Sequence, residues 1–95
     1  MTKVKAIYGD NAYSLVSEGH AGTEQSCTAV SAIVQALAGW NLNHGGLNFL
    51  DKGSAVIAML KQDGAEAVMD MTVIGLQQIE KTAPDDVKVE IIYRE

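Results

Sequence analysis

Two adjoining stretches decide the fold: Lys3-Val4-Lys5-Ala6-Ile7-Tyr8-Gly9-Asp10-Asn11-Ala12-Tyr13-Ser14-Leu15-Val16-Ser17, and Gly19-His20-Ala21-Gly22-Thr23-Glu24-Gln25-Ser26-Cys27 after it. In the first, Val4, Ala6 and Tyr8 alternate with Lys3, Lys5 and Ile7. After Gly9-Asp10-Asn11 a second alternation runs through Tyr13, Leu15 and Ser17. A period of two on both sides of a Gly-Asp-Asn turn predicts a β-hairpin over residues 3–18. From Thr23 the period lengthens: Cys27, Val30, Val34, Leu37 and Ala38 fall on one helical face, with Glu24, Gln25, Thr28 and Gln35 elsewhere. Thr23 is suited to cap that helix, Glu24 places a negative charge near its positive end, and Gly39 is the expected stop.

Downstream, residues 40–53 are rich in Asn and Gly and read as loop, with room for a short strand around Leu47 to Leu50. Ala55 to Leu60 is a continuous apolar run of strand length, which predicts a central strand covered on both faces. From Ala65 to Lys81 the helical period returns, with Val68, Met71, Thr72, Gly75, Leu76 and Ile79 along one stripe, and Pro84 marks its end. Val87 to Tyr93 reads as a last strand. The expected order is β-β-α-β-α-β, an α+β fold in which one mixed or antiparallel sheet packs against two helices within a single domain of residues 1–95.

Bulk properties narrow the function. A chain of 95 residues lies near the lower end of lengths that bury an adequate core alone, so a partner subunit is expected to help. The net charge of -5 disfavours binding to nucleic-acid phosphates, which runs on clustered Lys and Arg, and suits a basic peptide better. One cysteine forms no internal disulfide, and no apolar run reaches the length of a signal peptide or membrane span. These features point to a soluble protein of the cytoplasm.

The candidate chemistry lies in the second stretch. Cys27 and His20 are the minimum parts of a cysteine nucleophile and its base. A position near a helix start favours thiolate over thiol, and an imidazole nearby can take the proton. Backbone N–H groups there, from residues such as Ser26 and Cys27, are candidate donors to a tetrahedral oxyanion. The bland reading stays open at this point: Cys27 as a small buried apolar residue and His20 as a surface turn residue. His44 reads as a solvated turn residue. One Cys and two His without CxxC or HxxxH spacing form no recognisable zinc site, and Gly45-Gly46 lacks the residues of a phosphate loop, so neither a metal nor a cofactor is expected. Met59, Met69 and Met71 read as core or dimer-interface filler.

The stretches Gly19-His20-Ala21-Gly22 and Cys27-Thr28-Ala29-Val30-Ser31-Ala32 resemble the Gly-His-Ala-Gly and Cys-x-Ala-Val-Ser-Ala signatures of the ribosomal-processing cysteine protease family, known as Prp. Residues Val73 to Glu80, Pro84 and Val87 to Val89 are similar to that family's closing helix and strand. The resemblance implies a small homodimeric cysteine endopeptidase. Its substrate would be the N-terminal extension of a large-subunit ribosomal protein or, in a phage-derived version, a capsid or scaffold protein. It further implies Cys27 as nucleophile and His20 as general base, with Ser31 in support one turn beyond Cys27. Ser31 reads equally well as a small residue for close helix packing. Two departures stand out: the segment between His20 and Cys27 is shorter than in the family, and Glu24 stands where the family tends to have an aspartate. Glu24 can orient His20 or receive a basic substrate residue, though the helix dipole alone accounts for it. The shorter segment leaves open a non-catalytic module that holds a basic peptide.

Overall fold

A computed structural model describes residues 1–20 and 22–94; Ala21 of the Gly-His-Ala-Gly stretch and the terminal Glu95 lie outside the described residues. The chain runs β1 (Thr2–Tyr8), β2 (Ala12–Glu18), α1 (Glu24–Leu42), β3 (Leu47–Asp51), β4 (Ser54–Leu60), α2 (Ala65–Thr82) and β5 (Val87–Tyr93). The fold is the expected α+β one with two helices and one mixed sheet. Its order is β-β-α-β-β-α-β, because residues 47–51 form a full edge strand.

The sheet has strand order β3-β4-β2-β1-β5. β1 and β2 form the predicted antiparallel hairpin, with Val4 opposite Ser17 and Ala6 opposite Leu15. The turn closes with the Gly9 amide donating to the Ala12 carbonyl at 3.0 Å. β4 runs antiparallel to both β2 and β3, while β5 joins the free side of β1 in parallel. Helix α1 therefore carries the chain across β4, and α2 carries it across β2 and β1.

Alternate residues of the strands build the core. Val4, Ala6, Leu15, Ile57, Met59 and Val87 are buried against Val30, Val34 and Leu37 of α1 and Met69, Val73 and Leu76 of α2. Burial of such side chains stabilises by about 1.5–3 kcal/mol each relative to exposure, before the opposing entropy is counted. The second helix is rotated from the predicted stripe: Met69 is buried, whereas Met71 stays 73% exposed. Ala65 at its start and Val73 also turn inward.

Three expectations are corrected. Helix α1 runs through Gly39 to Leu42, because its last turn is anchored from outside the helix. Asn41, fully buried, donates from Nδ2 towards the Leu47 carbonyl, Asn48 Oδ1 and the Ala58 carbonyl, and Trp40 stacks on His44 with ring centroids 3.8 Å apart. Tertiary hydrogen bonds offset the modest helix cost of glycine. Strand β4 is central in the sheet but covered on one face only. Ala55, Ile57 and Met59 are buried, while Val56 and Leu60 of the other face are 38% and 54% exposed. Both helices occupy the same side, so the apolar run that reads as doubly covered is half open. Residues 40–53, read as loop with room for a short strand around Leu47 to Leu50, hold the last turn of α1, that strand as β3, and the turn Lys52-Gly53 that joins it to β4.

Among the described residues no helix is long and apolar enough to cross a membrane.

Candidate active site

The ends of β2, β1, β4 and β5 converge with the start of α1. Register explains the convergence: Glu18, the last residue of β2, lies opposite Ser54 at the start of β4 and opposite Lys3 near the start of β1. Thr2 in turn lies beside Val87, the first residue of β5. His20 leaves β2 at this end of the sheet, and α1 begins there four residues later.

A cleft of about 220 Å³ opens at this end. His20 and Gly19 line it from the β2 end, Cys27, Ser31 and Gln35 from α1, and Leu50, Asp51 and Gly53 from the β3–β4 hairpin. Val30, Val34 and Ala55 form an apolar floor. The nine residues of the opening motif thus bring a thiol and an imidazole to one cavity. Cys27 is a free, exposed cysteine, which overturns the bland reading of a buried apolar side chain on the helix face. It sits at the margin of the apolar stripe, whose buried members are Val30, Val34, Leu37 and Ala38.

The backbone at His20 is set by two glycines. Gly19 has φ +90°, in the left-handed region that L side chains rarely adopt, and lies so close to the Met1 carbonyl oxygen that a Cβ would overlap it. The Gly19 amide donates to the Gly53 carbonyl at 2.8 Å, tying the end of β2 to the β3–β4 turn. Gly53 itself has φ +80°, and a Cβ there would stand 2.9 Å from His20 Nε2. The imidazole therefore rests against bare backbone.

The start of α1 is capped as the sequence predicts. Thr23 is extended, and its Oγ1 accepts from the Ser26 amide at 3.2 Å. The Cys27 amide donates to the Thr23 carbonyl at 3.0 Å. This corrects the expected oxyanion site: the amides of both Ser26 and Cys27 are already engaged by the cap and by the first helical hydrogen bond. Ser26 is buried, and its hydroxyl donates to Asp86 Oδ2 at 3.0 Å, away from the cleft. Gly22 packs against the Asp86 carboxylate so closely that a Cβ would overlap Oδ1.

Ser31 lies in the cleft one turn beyond Cys27, and its Oγ accepts from Gln35 Nε2 at 2.9 Å. Its own O–H is left to point at the cleft or back to the helix. Glu24 is exposed and borders a different, shallow depression with Gln25, Thr28, Ala29 and Ala32. The fold therefore gathers His20, Cys27, Ser31 and Gly19 around one cavity and directs Glu24, Ser26 and Gly22 elsewhere.

Two residues at this end escape sequence reasoning. Gly53 stands in a stretch read as loop. Its signal was the alternation Leu47, Phe49, Asp51 followed by Lys52-Gly53, a hairpin turn with glycine at a positive-φ position. Asp86 meets the start of α1 from sixty residues away, and no local pattern encodes that contact. His44 lies at the far end of α1, stacked on Trp40 with Nδ1 2.7 Å from the Trp40 carbonyl oxygen, and takes no part in the cleft. Among the described residues no group of three or more His, Cys, Asp or Glu stands close enough to hold a metal ion.

The family model described as Cysteine protease Prp matches residues 1–88 of the chain. The fold is similar to that of the essential ribosomal processing protease Prp from S. aureus in complex with a covalently linked product peptide. That likeness has a TM-score of 0.84 and 18% identity, over 96% of this chain and 99% of that one. The same protease with a substrate peptide gives a TM-score of 0.84 at 16% identity, with the same two coverages. SMU.848 from Streptococcus mutans gives 0.80 at 17% identity, over 98% of each chain. At these identities the likeness is one of fold. Among curated protein sequences none matches.

Proposed function

The chain belongs to the cysteine protease Prp family, and from that premise we propose that it is a cysteine endopeptidase in which Cys27 is the nucleophile and His20 the general base. The observation that carries the reading is the shared cleft: the exposed Cys27 and His20 line one cavity at the mouth of the sheet. His20 takes the thiol proton as Sγ attacks the peptide carbonyl carbon. It then gives that proton to the leaving amine as the C–N bond breaks, leaving a thioester on Cys27. Water, deprotonated by His20, hydrolyses the thioester and restores the thiol. Ser31, held by Gln35 at the cleft wall, supports the site.

The substrate we propose is the N-terminal extension of a large-subunit ribosomal protein, in line with the ribosomal processing protease of S. aureus that shares the fold. A capsid or scaffold protein takes its place if the gene is phage-derived. The apolar floor and the acidic net charge of -5 suit a peptide carrying apolar and basic residues. The reading includes one domain over residues 1–95, a cytoplasmic location, where a lone free cysteine stays reduced, and a homodimer. The exposed apolar side of the sheet at Phe49, Val56 and Leu60 supports the last.

One observation favours a second reading, a non-catalytic module that holds a basic peptide: the two backbone amides expected to receive the oxyanion are engaged within α1. A single experiment separates the two. The chain and its Cys27→Ala variant are each co-expressed with candidate substrates of the same genome, and substrate N-termini are read by mass spectrometry. Trimming by the parent alone establishes the protease. Equal binding by both with no trimming establishes the module.

A further inference from the structure

We infer that Asp86 is a positioning residue for the pair His20 and Cys27, an assignment that rests on the protease reading above. Asp86 stands in the turn between α2 and β5, remote in sequence from both motifs. Its carboxylate meets the start of the helix that carries Cys27. Oδ2 accepts from Ser26 Oγ at 3.0 Å and from Thr23 Oγ1 at 3.2 Å, and Thr23 is the cap that accepts from the Ser26 amide. Hydrogen bonds to an ionised acceptor are stronger than neutral ones, and a negative charge at a helix start is further favoured by the aligned peptide dipoles. Gly22, on the approach to the cap, is shaped to the same carboxylate, since any side chain there would overlap Oδ1.

The backbone of Asp86 reaches the other member of the pair. Its carbonyl accepts from the Thr2 amide at 2.8 Å, which fixes the start of β1. Met1, the preceding residue, presents its carbonyl oxygen to Gly19, close enough to forbid a Cβ. Gly19 immediately precedes His20. Thus Thr23 and Ser26 on one side, and Thr2 with Met1 and Gly19 on the other, bracket the segment between base and nucleophile from a single residue. Cys27 directly follows Ser26, so a shift of the Ser26–Asp86 contact moves the thiol relative to the imidazole. Misplacement by about 1 Å is enough to cost about 100-fold in a positioned reaction.

Alkylation of the single thiol by iodoacetamide tests this without a substrate. Rates and their pH profiles are compared for the parent, His20→Ala, Asp86→Ala and the double variant. The expected result is that His20→Ala slows alkylation about tenfold or more in the parent but changes little once Asp86 is alanine. Asp86→Asn, which keeps one acceptor oxygen, should recover part of the rate. If His20→Ala slows alkylation by the same factor in both backgrounds, the pair keeps its geometry without the carboxylate and the positioning role is overturned, while the protease reading stands. If His20→Ala has no effect in the parent, the protease reading itself fails, and the positioning role with it. Should Asp86→Ala fail to fold, Ser26→Ala removes one arm of the tie and is read by the same two outcomes.

Discussion

Gly53 supports the imidazole of His20: its φ is +80°, and a Cβ built on it would stand 2.9 Å from Nε2. Gly53→Ala is therefore expected to act twice. The left-handed backbone strains alanine by about 1 kcal/mol or more, lowering Tm by about 4–8 °C for a domain of this size. The methyl group also displaces His20, so peptide cleavage should fall by about 10- to 100-fold at a temperature where the variant is folded. Thermal denaturation and a cleavage assay on the same preparation check both effects.

Cys27→Ala should separate activity from stability. The thiol is exposed, so its removal leaves no cavity in the core. Unfolding free energy should stay within about 0.5 kcal/mol of the parent, while cleavage is abolished. Urea denaturation and mass spectrometry of substrate N-termini give the two readouts.

Asn41 should be among the most sensitive positions away from the cleft. Its Nδ2 holds the carbonyls of Leu47 and Ala58 and the side chain of Asn48, and Asn48 Nδ2 donates back to the Ala38 carbonyl at 2.8 Å. Asn41→Ala leaves three part-buried acceptors without this donor and is expected to cost about 1–3 kcal/mol. Gly46→Ala should also destabilise, because a Cβ there overlaps the Asn41 amide. Urea midpoints of the two variants test this anchor of the β3–β4 hairpin.

Alkaline pH should weaken the fold through Tyr8. Partial burial, and then the hydrogen bond its O–H donates to Asp70 Oδ1 at 2.7 Å, push the phenol well above its usual range. The unfolded chain ionises Tyr8 near pH 10 while the folded chain keeps the proton. Stability contributed by this group is thus fully present below about pH 10 and declines as pH rises further. Burial also raises the phenol of Tyr13, so two groups act in the same sense. Denaturation midpoints measured from pH 8 to 11 should fall, less steeply in Tyr8→Phe. Equal slopes in parent and variant would remove Tyr8 from the account.

The open side of the sheet should mediate self-association. Leu47 and Phe49 of β3 and Val56 and Leu60 of β4 are exposed on one face, with Leu47 opposite Ala58 and Phe49 opposite Val56. Light scattering at micromolar concentration should give a dimer for the parent and a monomer for Phe49→Glu. A parent monomer would count against the homodimer.

Much of this architecture was legible in local pattern. The alternation of Val4 and Ala6 with Lys3 and Lys5 is a backbone property of strands, and its inward members are indeed buried. Thr23 followed by a helical period places the cap correctly, because capping needs only the residues of one turn. Failures came where distant groups outweigh local preference: Gly39 does not end α1, because Asn41 finds its partners on β3 and β4.

His20, Cys27 and the flanking signatures are written in the linear chain, and with them the residue types of the candidate chemistry and the family. Their arrangement is not. That Cys27 is exposed in a cleft, that Gly53 backs the imidazole and that Asp86 grips the start of α1 all follow from strand order. Strand order brings together segments as far apart as Thr2 and Val87. Hydrogen bonding and close packing act through space, whereas periodicity reports only on near neighbours, so the pairing of sheet ends decided which side chains share a cavity.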